Sequence, residues 1–123
     1  MAKKNFIERN IDLATKTSRL GVHWQHRVGA VLCKNGNVIG LGHNSFKTHP
    51  QMLHKTLHAE VDALVGVKYQ DLRGSIMFVS RTSNTGRIGM AKPCSICSEV
   101  LRSYGIRKVY YTTSTSIGEL RLS

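Results

Sequence analysis

The chemistry in this chain is concentrated in two short stretches: Leu57-His58-Ala59-Glu60-Val61-Asp62-Ala63-Leu64 and Lys92-Pro93-Cys94-Ser95-Ile96-Cys97. His58, Cys94 and Cys97 offer one imidazole and two thiolates, a donor set of soft and borderline ligands that suits zinc. Three protein donors rather than four leave one coordination position open, which is the arrangement of a catalytic rather than a structural site. The expected cofactor is therefore one Zn2+ per chain carrying a bound water or hydroxide. Glu60 follows the imidazole by two residues, badly placed to ligate the same ion but well placed to move protons on that water. A closed structural site would need a fourth ligand, for which Cys33 is the available thiol. Cys33 sits in an apolar run, where a free cysteine packs as a small core residue.

The bulk properties limit the class of protein. At 123 residues the chain reads as a single domain, 1–123, large enough for a core and too small for two. A hydrophobic content of 41% is that of a globular chain rather than a disordered one. Met1-Ala2-Lys3-Lys4-Asn5 is followed by no apolar signal segment, and no apolar run reaches membrane-spanning length. A cytoplasmic location with no membrane partner is the expectation. An odd number of cysteines, two of them in a C-x-x-C pair, favours metal binding over a disulfide framework. The formal charge of +11 draws polyanions and phosphorylated small molecules, although basic residues also simply solvate a surface.

The flanking sequence supplies the elements that must position these residues. Apolar positions from Phe6 to Thr17 follow a helical period, with a stop expected near Gly21. Arg27–Cys33 and Asn37–His43 read as strands joined by Asn35-Gly36, a two-residue turn that needs positive φ. The alternating Gly40 and Gly42 predict close backbone approach on one face of the second strand. Asn44 to Thr56 reads as a polar loop, and Thr56 as the N-cap of a helix from about Leu57 to Tyr69. Ser75–Ser80 is a third strand, Arg81–Ala91 a polar hairpin or extended loop, and Pro93 the opening of a helix ended by Gly105. Ile106–Thr113 is a fourth strand. The order implies an α/β layered domain with a mixed, roughly five-stranded sheet flanked by helices. Both ligand segments open helices, whose N-terminal partial charge is expected to lower the cysteine pKa.

The pairing of H-x-E with P-C-x-x-C resembles the zinc-dependent cytidine and deoxycytidylate deaminase superfamily, from the Arg27–His43 hairpin through Tyr111. His58, Glu60, Pro93, Cys94 and Cys97 fall on that family's metal and catalytic motif. Gly105-Ile106-Arg107-Lys108-Val109-Tyr110-Tyr111 is similar to the stretch after the second motif in the deoxycytidylate branch. The resemblance implies hydrolytic deamination, with Glu60 as the proton shuttle. It also implies substrate contacts from Asn44 to the sugar, from the Ala59 backbone to the base edge, and from Pro93 beside the metal. Two features depart from the family. The stretch from Arg81 to Lys92 is an insert whose Arg81, Arg87 and Lys92 would sit near the site mouth, either solvated or contacting phosphate. The tail after Thr113 is short, so part of a substrate wall or subunit interface is expected to be absent or supplied by another copy. Relatives self-associate, which makes a homo-oligomer the expectation.

Other residues carry competing readings. His43, His49 and His54 could form a second metal site but read more simply as loop hydrogen-bonding residues. His23 and His26 around Trp24 could stack on a base or pack the first helix. Three functions follow: deamination of a dCMP- or CMP-type pyrimidine nucleotide, deamination of cytosine or adenine in single-stranded RNA or DNA, or a zinc-stabilised binding module with no activity. The charge favours a nucleic-acid substrate. The low aromatic content (7%) and the lack of a stacking platform favour the free nucleotide.

Overall fold

The computed structural model describes residues 4–20, 27–44 and 58–123. Helix α1 spans Phe6–Ser18 and is capped by Asn5, whose side-chain oxygen accepts the Glu8 amide at 2.8 Å. It stops at Ser18 with Arg19 as C-cap, earlier than the expected end near Gly21, which lies outside the described residues. The cause is local: the hydroxyls of Thr15, Thr17 and Ser18 donate to the carbonyls of Ile11, Leu13 and Thr15, competing with the backbone ladder.

Strands β1 (Arg27–Lys34) and β2 (Asn37–His43) form the anticipated antiparallel hairpin. Asn35 and Gly36 both take left-handed φ values, 51° and 81°, as a two-residue turn between right-twisted strands requires. The expected helix over Leu57–Tyr69 is not continuous. Helix α2 covers only Ala59–Asp62, and helix α3 follows separately at Tyr69–Leu72. Between them the bonding tightens to three-residue spacing, Leu64 to Val61 and Val65 to Asp62, and the chain then turns at Gly66 with φ of 81°.

Strand β3 (Ile76–Thr82) runs antiparallel to β1, and the two-residue strand β4 (Ile88–Gly89) folds back on its end. Helix α4 (Ser95–Ser103) leads to β5 (Lys108–Thr112), parallel to β3, and β6 (Ile117–Arg121) pairs antiparallel with β5. The sheet is thus mixed and six-stranded, in the order β2-β1-β3-β5-β6 with β4 on β3. The short tail after Thr113 supplies β6, a strand the sequence pattern left unassigned. Pro93 does not open α4; the helix begins at Ser95, and Cys94 takes the cap position.

Two cores lie on opposite faces. Ile11 and Ala14 of α1 pack on Val31, Cys33 and Phe78, with Phe78 stacked on Tyr110 at 5.4 Å between ring centroids. On the other face Ala59, Ala63 and Leu101 pack on Ala30, Leu32, Met77, Val79 and Val109. The seating of α2 is a backbone-on-backbone contact. A Cβ at Gly42 would stand 2.3 Å from the Ala59 carbonyl oxygen, and one at Gly40 would stand 2.2 Å from that of Ala63. No helix among the described residues is long and apolar enough to cross a membrane.

Gly42→Ala is expected to cost about 3 kcal/mol or more, because backbone rather than a mobile side chain blocks the methyl. Gly89→Ala, whose added carbon meets only Arg81 Cδ at 4.0 Å, should cost about 1 kcal/mol or less. Urea denaturation of the two variants beside the parent checks this; equal stabilities would remove the contact as the determinant of α2 placement.

Candidate active site

The N-terminal ends of α2 and α4 meet. His58 holds the cap position of α2 with extended backbone, φ −73° and ψ 143°. Cys94 caps α4, its sulfur accepting the Cys97 amide at 3.4 Å. One turn on, the Cys97 Sγ lies 3.0 Å from His58 Nδ1. The donor atoms of His58, Cys94 and Cys97 all lie within 4.8 Å of one another, close enough for a single ion to touch all three. An imidazole and two thiols at this spacing fit zinc by ligand type. Cys33 is not part of the cluster. It belongs to the opposite core against α1, where its thiol donates to Asn10 Oδ1 at 3.4 Å and burial pushes it up to about 11.

Two ionisable groups in the site are shaped by burial. Desolvation pushes the Cys97 thiol well above its ordinary value, with the Glu60 carboxyl and Cys94 adding to the push. The expected lowering by the helix N-terminus is therefore reversed for Cys97, because it lies inside the packed turn rather than at its exposed end. Glu60 is only 6% exposed, and desolvation raises its carboxyl against a smaller opposing hydrogen bond from its own backbone.

A cavity of about 390 Å³ opens beside these groups, a volume in the range of small-ligand sites. Val28, Asn44, His58, Ala59, Glu60, Arg81, Met90, Ala91, Lys92 and Cys94 line it. The structure thus brings together Asn44, Ala59, Arg81, His58, Glu60 and Cys94 around one space, while Cys97 reaches it only through its 3.0 Å contact with His58 Nδ1 and Pro93 is not among its lining residues. Asn44 is clamped to β1 twice: its amide donates to the Val28 carbonyl at 3.2 Å, and its side-chain oxygen accepts the Val28 amide at 3.0 Å.

The insert is a hairpin, not an extended loop. Its return arm carries Met90, Ala91 and Lys92 into the cavity wall. Buried Thr112 holds that arm: its hydroxyl donates to the Gly89 carbonyl at 2.8 Å and accepts the Arg81 amide at 3.3 Å, while its carbonyl accepts the Ala91 amide at 2.9 Å. Val28, Met90 and Thr112 were not singled out from the sequence; an apolar strand residue and a lone threonine carry no local chemical signal. His43 ends β2 with its ring Nδ1 3.3 Å from the Asn44 carbonyl, whereas His49, His54, His23, Trp24 and His26 lie outside the described residues.

Comparison with known proteins points one way. Residues 2–113 match the family model of the cytidine and deoxycytidylate deaminase zinc-binding region. A deoxycytidylate deaminase of Mycobacterium phage D29 is 25% identical over 134 residues, covering 90% of this chain and 97% of that protein. The riboflavin biosynthesis protein RibD of Aquifex aeolicus is 32% identical over 110 residues, covering 89% of this chain but 27% of that protein. Among solved structures, the dCMP deaminase of cyanophage S-TIM5 in its apo form aligns with a TM-score of 0.65 at 27% identity, over 91% of this chain and 86% of that one. The same enzyme in complex with dCMP and dUMP aligns at 0.64 and 25% identity, over 90% and 83%.

Thr112→Val keeps the volume and removes the hydroxyl that latches the insert. It should lower stability by about 1–2 kcal/mol, since it strands the part-buried Gly89 carbonyl and Arg81 amide. Limited proteolysis should then cut between Ser83 and Met90 faster than in the parent; unchanged stability and cleavage would show that the hairpin needs no latch.

Proposed function

This chain belongs to the cytidine and deoxycytidylate deaminase family, and on that footing we propose that it hydrolyses the amino group from a cytosine nucleotide of the dCMP or CMP type. The products are the uracil nucleotide and ammonia. The observation that carries the reading is that Glu60, His58, Cys94, Asn44 and Ala59 line one nucleoside-sized cavity. His58, Cys94 and Cys97 would hold a zinc ion, one per chain. Bound there, zinc supplies the Lewis acidity that makes water nucleophilic at neutral pH.

The chain's own residues then divide the work. Glu60, the only acidic side chain among the described residues of the cavity wall, takes the proton from the attacking water and passes one to the ring nitrogen beside the attacked carbon. The same carboxyl then takes the remaining proton of the attacking oxygen and delivers it to the amino group, so that the carbonyl forms, the C–N bond breaks and ammonia leaves. Asn44 grips the sugar and the Ala59 backbone reads the base edge, both from positions fixed by the β1–β2 and α2 geometry. Arg81 and Lys92 bring positive charge to the cavity wall, where a 5′-phosphate would be matched. The nucleotides named with the S-TIM5 enzyme support a nucleotide ligand of this kind. The likeness to RibD favours one second reading, a pyrimidine intermediate of riboflavin biosynthesis as the substrate.

Zinc-loaded protein is to be incubated with dCMP, CMP, cytidine and single-stranded oligonucleotides while ammonia release is followed. Turnover should be fastest with a free nucleotide; turnover of oligonucleotides alone would overturn the substrate assignment. Glu60→Ala should lower kcat by about 10²–10⁴ with zinc content retained, and intact activity would remove the shuttle role. Chelation should abolish turnover and zinc restore it, with one zinc per chain by metal analysis.

Shortening the insert between Ser83 and Met90 separates the phosphate reading from a wall that merely closes the cavity. KM for dCMP should rise more than KM for cytidine; equal rises would exclude phosphate recognition by this hairpin.

A further inference from the structure

Asp62 reads from sequence as one more acidic residue serving the dipole of the ligand helix. The structure gives it a specific partner: Asp62 Oδ2 accepts the backbone amide of His43 at 3.1 Å. His43 is the last residue of β2, and β2 is the sheet's edge strand among the described residues. The next residue is Asn44, whose amide and side-chain oxygen are both engaged by Val28 across the β1–β2 ladder. An unbroken run of bonds therefore joins α2 to the cavity wall: Asp62 to His43, along the backbone to Asn44, and from Asn44 to Val28.

The run matters because α2 cannot place itself. It comprises Ala59–Asp62, a single turn closed by bonds from Asp62 to His58 and from Ala63 to Ala59. One helical turn has no independent stability. Its position must come from outside contacts: Ala59 and Ala63 pack in the core with Ala30, Leu32 and Leu101, and two further contacts tie the turn to β2. Gly40 and Gly42 set how deeply the turn sits against β2. That contact is steric and sets depth. The carboxylate–amide bond adds a directional tie at the strand end, and a charged acceptor makes it stronger than a neutral one. It ties the turn bearing His58, Ala59 and Glu60 to the strand end bearing Asn44.

We propose that Asp62 is a positioning residue that sets the spacing between the α2 turn and Asn44, and through it the grip on the substrate's sugar. The proposal rests on the functional reading of Asn44 given above. Asn44 binds rather than reacts, so loss of Asp62 should appear in KM more than in kcat. A carboxylate serving only the helix dipole would act without regard to which acceptor atom is present, and replacement by Asn would remove its effect. A carboxylate acting through the His43 amide is replaceable by Asn, which keeps an acceptor oxygen in place.

The test compares Asp62→Leu, which removes the acceptor at similar volume, with Asp62→Asn, both zinc-loaded and with zinc content and melting temperature measured. Asp62→Leu should raise KM for the preferred nucleotide about tenfold with kcat held within about threefold, and Asp62→Asn should stay within about twofold of the parent in both. Amide exchange at His43 should quicken about tenfold or more in Asp62→Leu, because its acceptor is gone. The side-chain amide signals of Asn44 should shift in that variant and not in Asp62→Asn. Unmoved His43 exchange and Asn44 signals in folded Asp62→Leu would overturn the proposal. So would an Asp62→Asn variant as impaired as Asp62→Leu, or a loss confined to kcat. If the parent turns over no pyrimidine nucleotide, the functional reading fails, and the amide measurements alone decide whether Asp62 holds the strand end. Should Asp62→Leu not fold, Asp62→Ala takes the same measurements.

Discussion

The structure depends on the approach of one backbone to another. Where β2 carries Gly40 and Gly42, the carbonyls of Ala59 and Ala63 occupy space that any side chain would fill. The turn seated there is too short to persist alone, so its location is a property of the strand beneath it. Everything chemical follows from that seat. His58 stands at the turn's lip, within reach of the sulfurs on α4, and Glu60 is pressed inward to 6% exposure. A second seat of the same type works on the opposite face, where a Cβ at Gly29 would lie 2.1 Å from the Ala14 carbonyl oxygen of α1. The sheet is thus gripped from both sides by helices whose distance is set by missing side chains rather than by large ones.

Charge distribution sharpens the contrast between surface and site. The chain carries 18 basic and 7 acidic residues, and Glu60 is the one acid in the buried class among the described residues. Burying a carboxyl without an ion-pair partner is costly, and sites that do so use the group. The ion pairs among the described residues, Lys4–Asp12, Arg102–Glu99 and Lys108–Glu119, lie away from it and leave Glu60 unneutralised. The buried Cys97 thiol stands in the same unfavourable setting, with Glu60 as a repelling neighbour. A cation centred among His58, Cys94 and Cys97 offsets both penalties at once, which is the electrostatic reason this donor cluster suits a divalent ion.

What the sequence revealed and concealed follows from the range of each signal. The donor cluster was legible because chemistry at C-x-x-C and H-x-E spacing is local: one helical turn brings Cys94 and Cys97 to one side. The β1–β2 hairpin was legible because Asn35-Gly36 specifies its own turn, and Gly40 and Gly42 announced a close approach without naming what approached. The break after Asp62 was not legible. Val61 to Tyr69 has ordinary helical apolar spacing, and only the tertiary path to β3 makes the left-handed turn at Gly66 necessary. Strand β6 was missed because its residues alternate weakly and gain their order from pairing with β5, including Gly118 under the Tyr111 ring. The reversed shift at Cys97 escaped for a related reason: helix position can be read from sequence, whereas depth of burial is a property of the assembled core.

Topology explains why these parts converge at one end of the molecule. β1 is antiparallel to both β2 and β3, so β2 and β3 point the same way, and β5 is parallel to β3. Each ligand-bearing helix begins after one of these co-directed strands, α2 after β2 and α4 after β3, and both pack on the same face. Their N-termini must then lie over the carboxyl ends of the strands, the place where open α/β sheets receive ligands. Asn44 leaves the end of β2, Arg81 lies near the end of β3, and Thr112 closes β5, so Asn44, the basic wall and the insert latch share that edge. The insert deepens the edge without altering it, since β4 pairs only with the last residues of β3 and returns directly to Cys94. A longer hairpin at this point would change the wall of the cavity while leaving the donors on α2 and α4 where the strand directions put them.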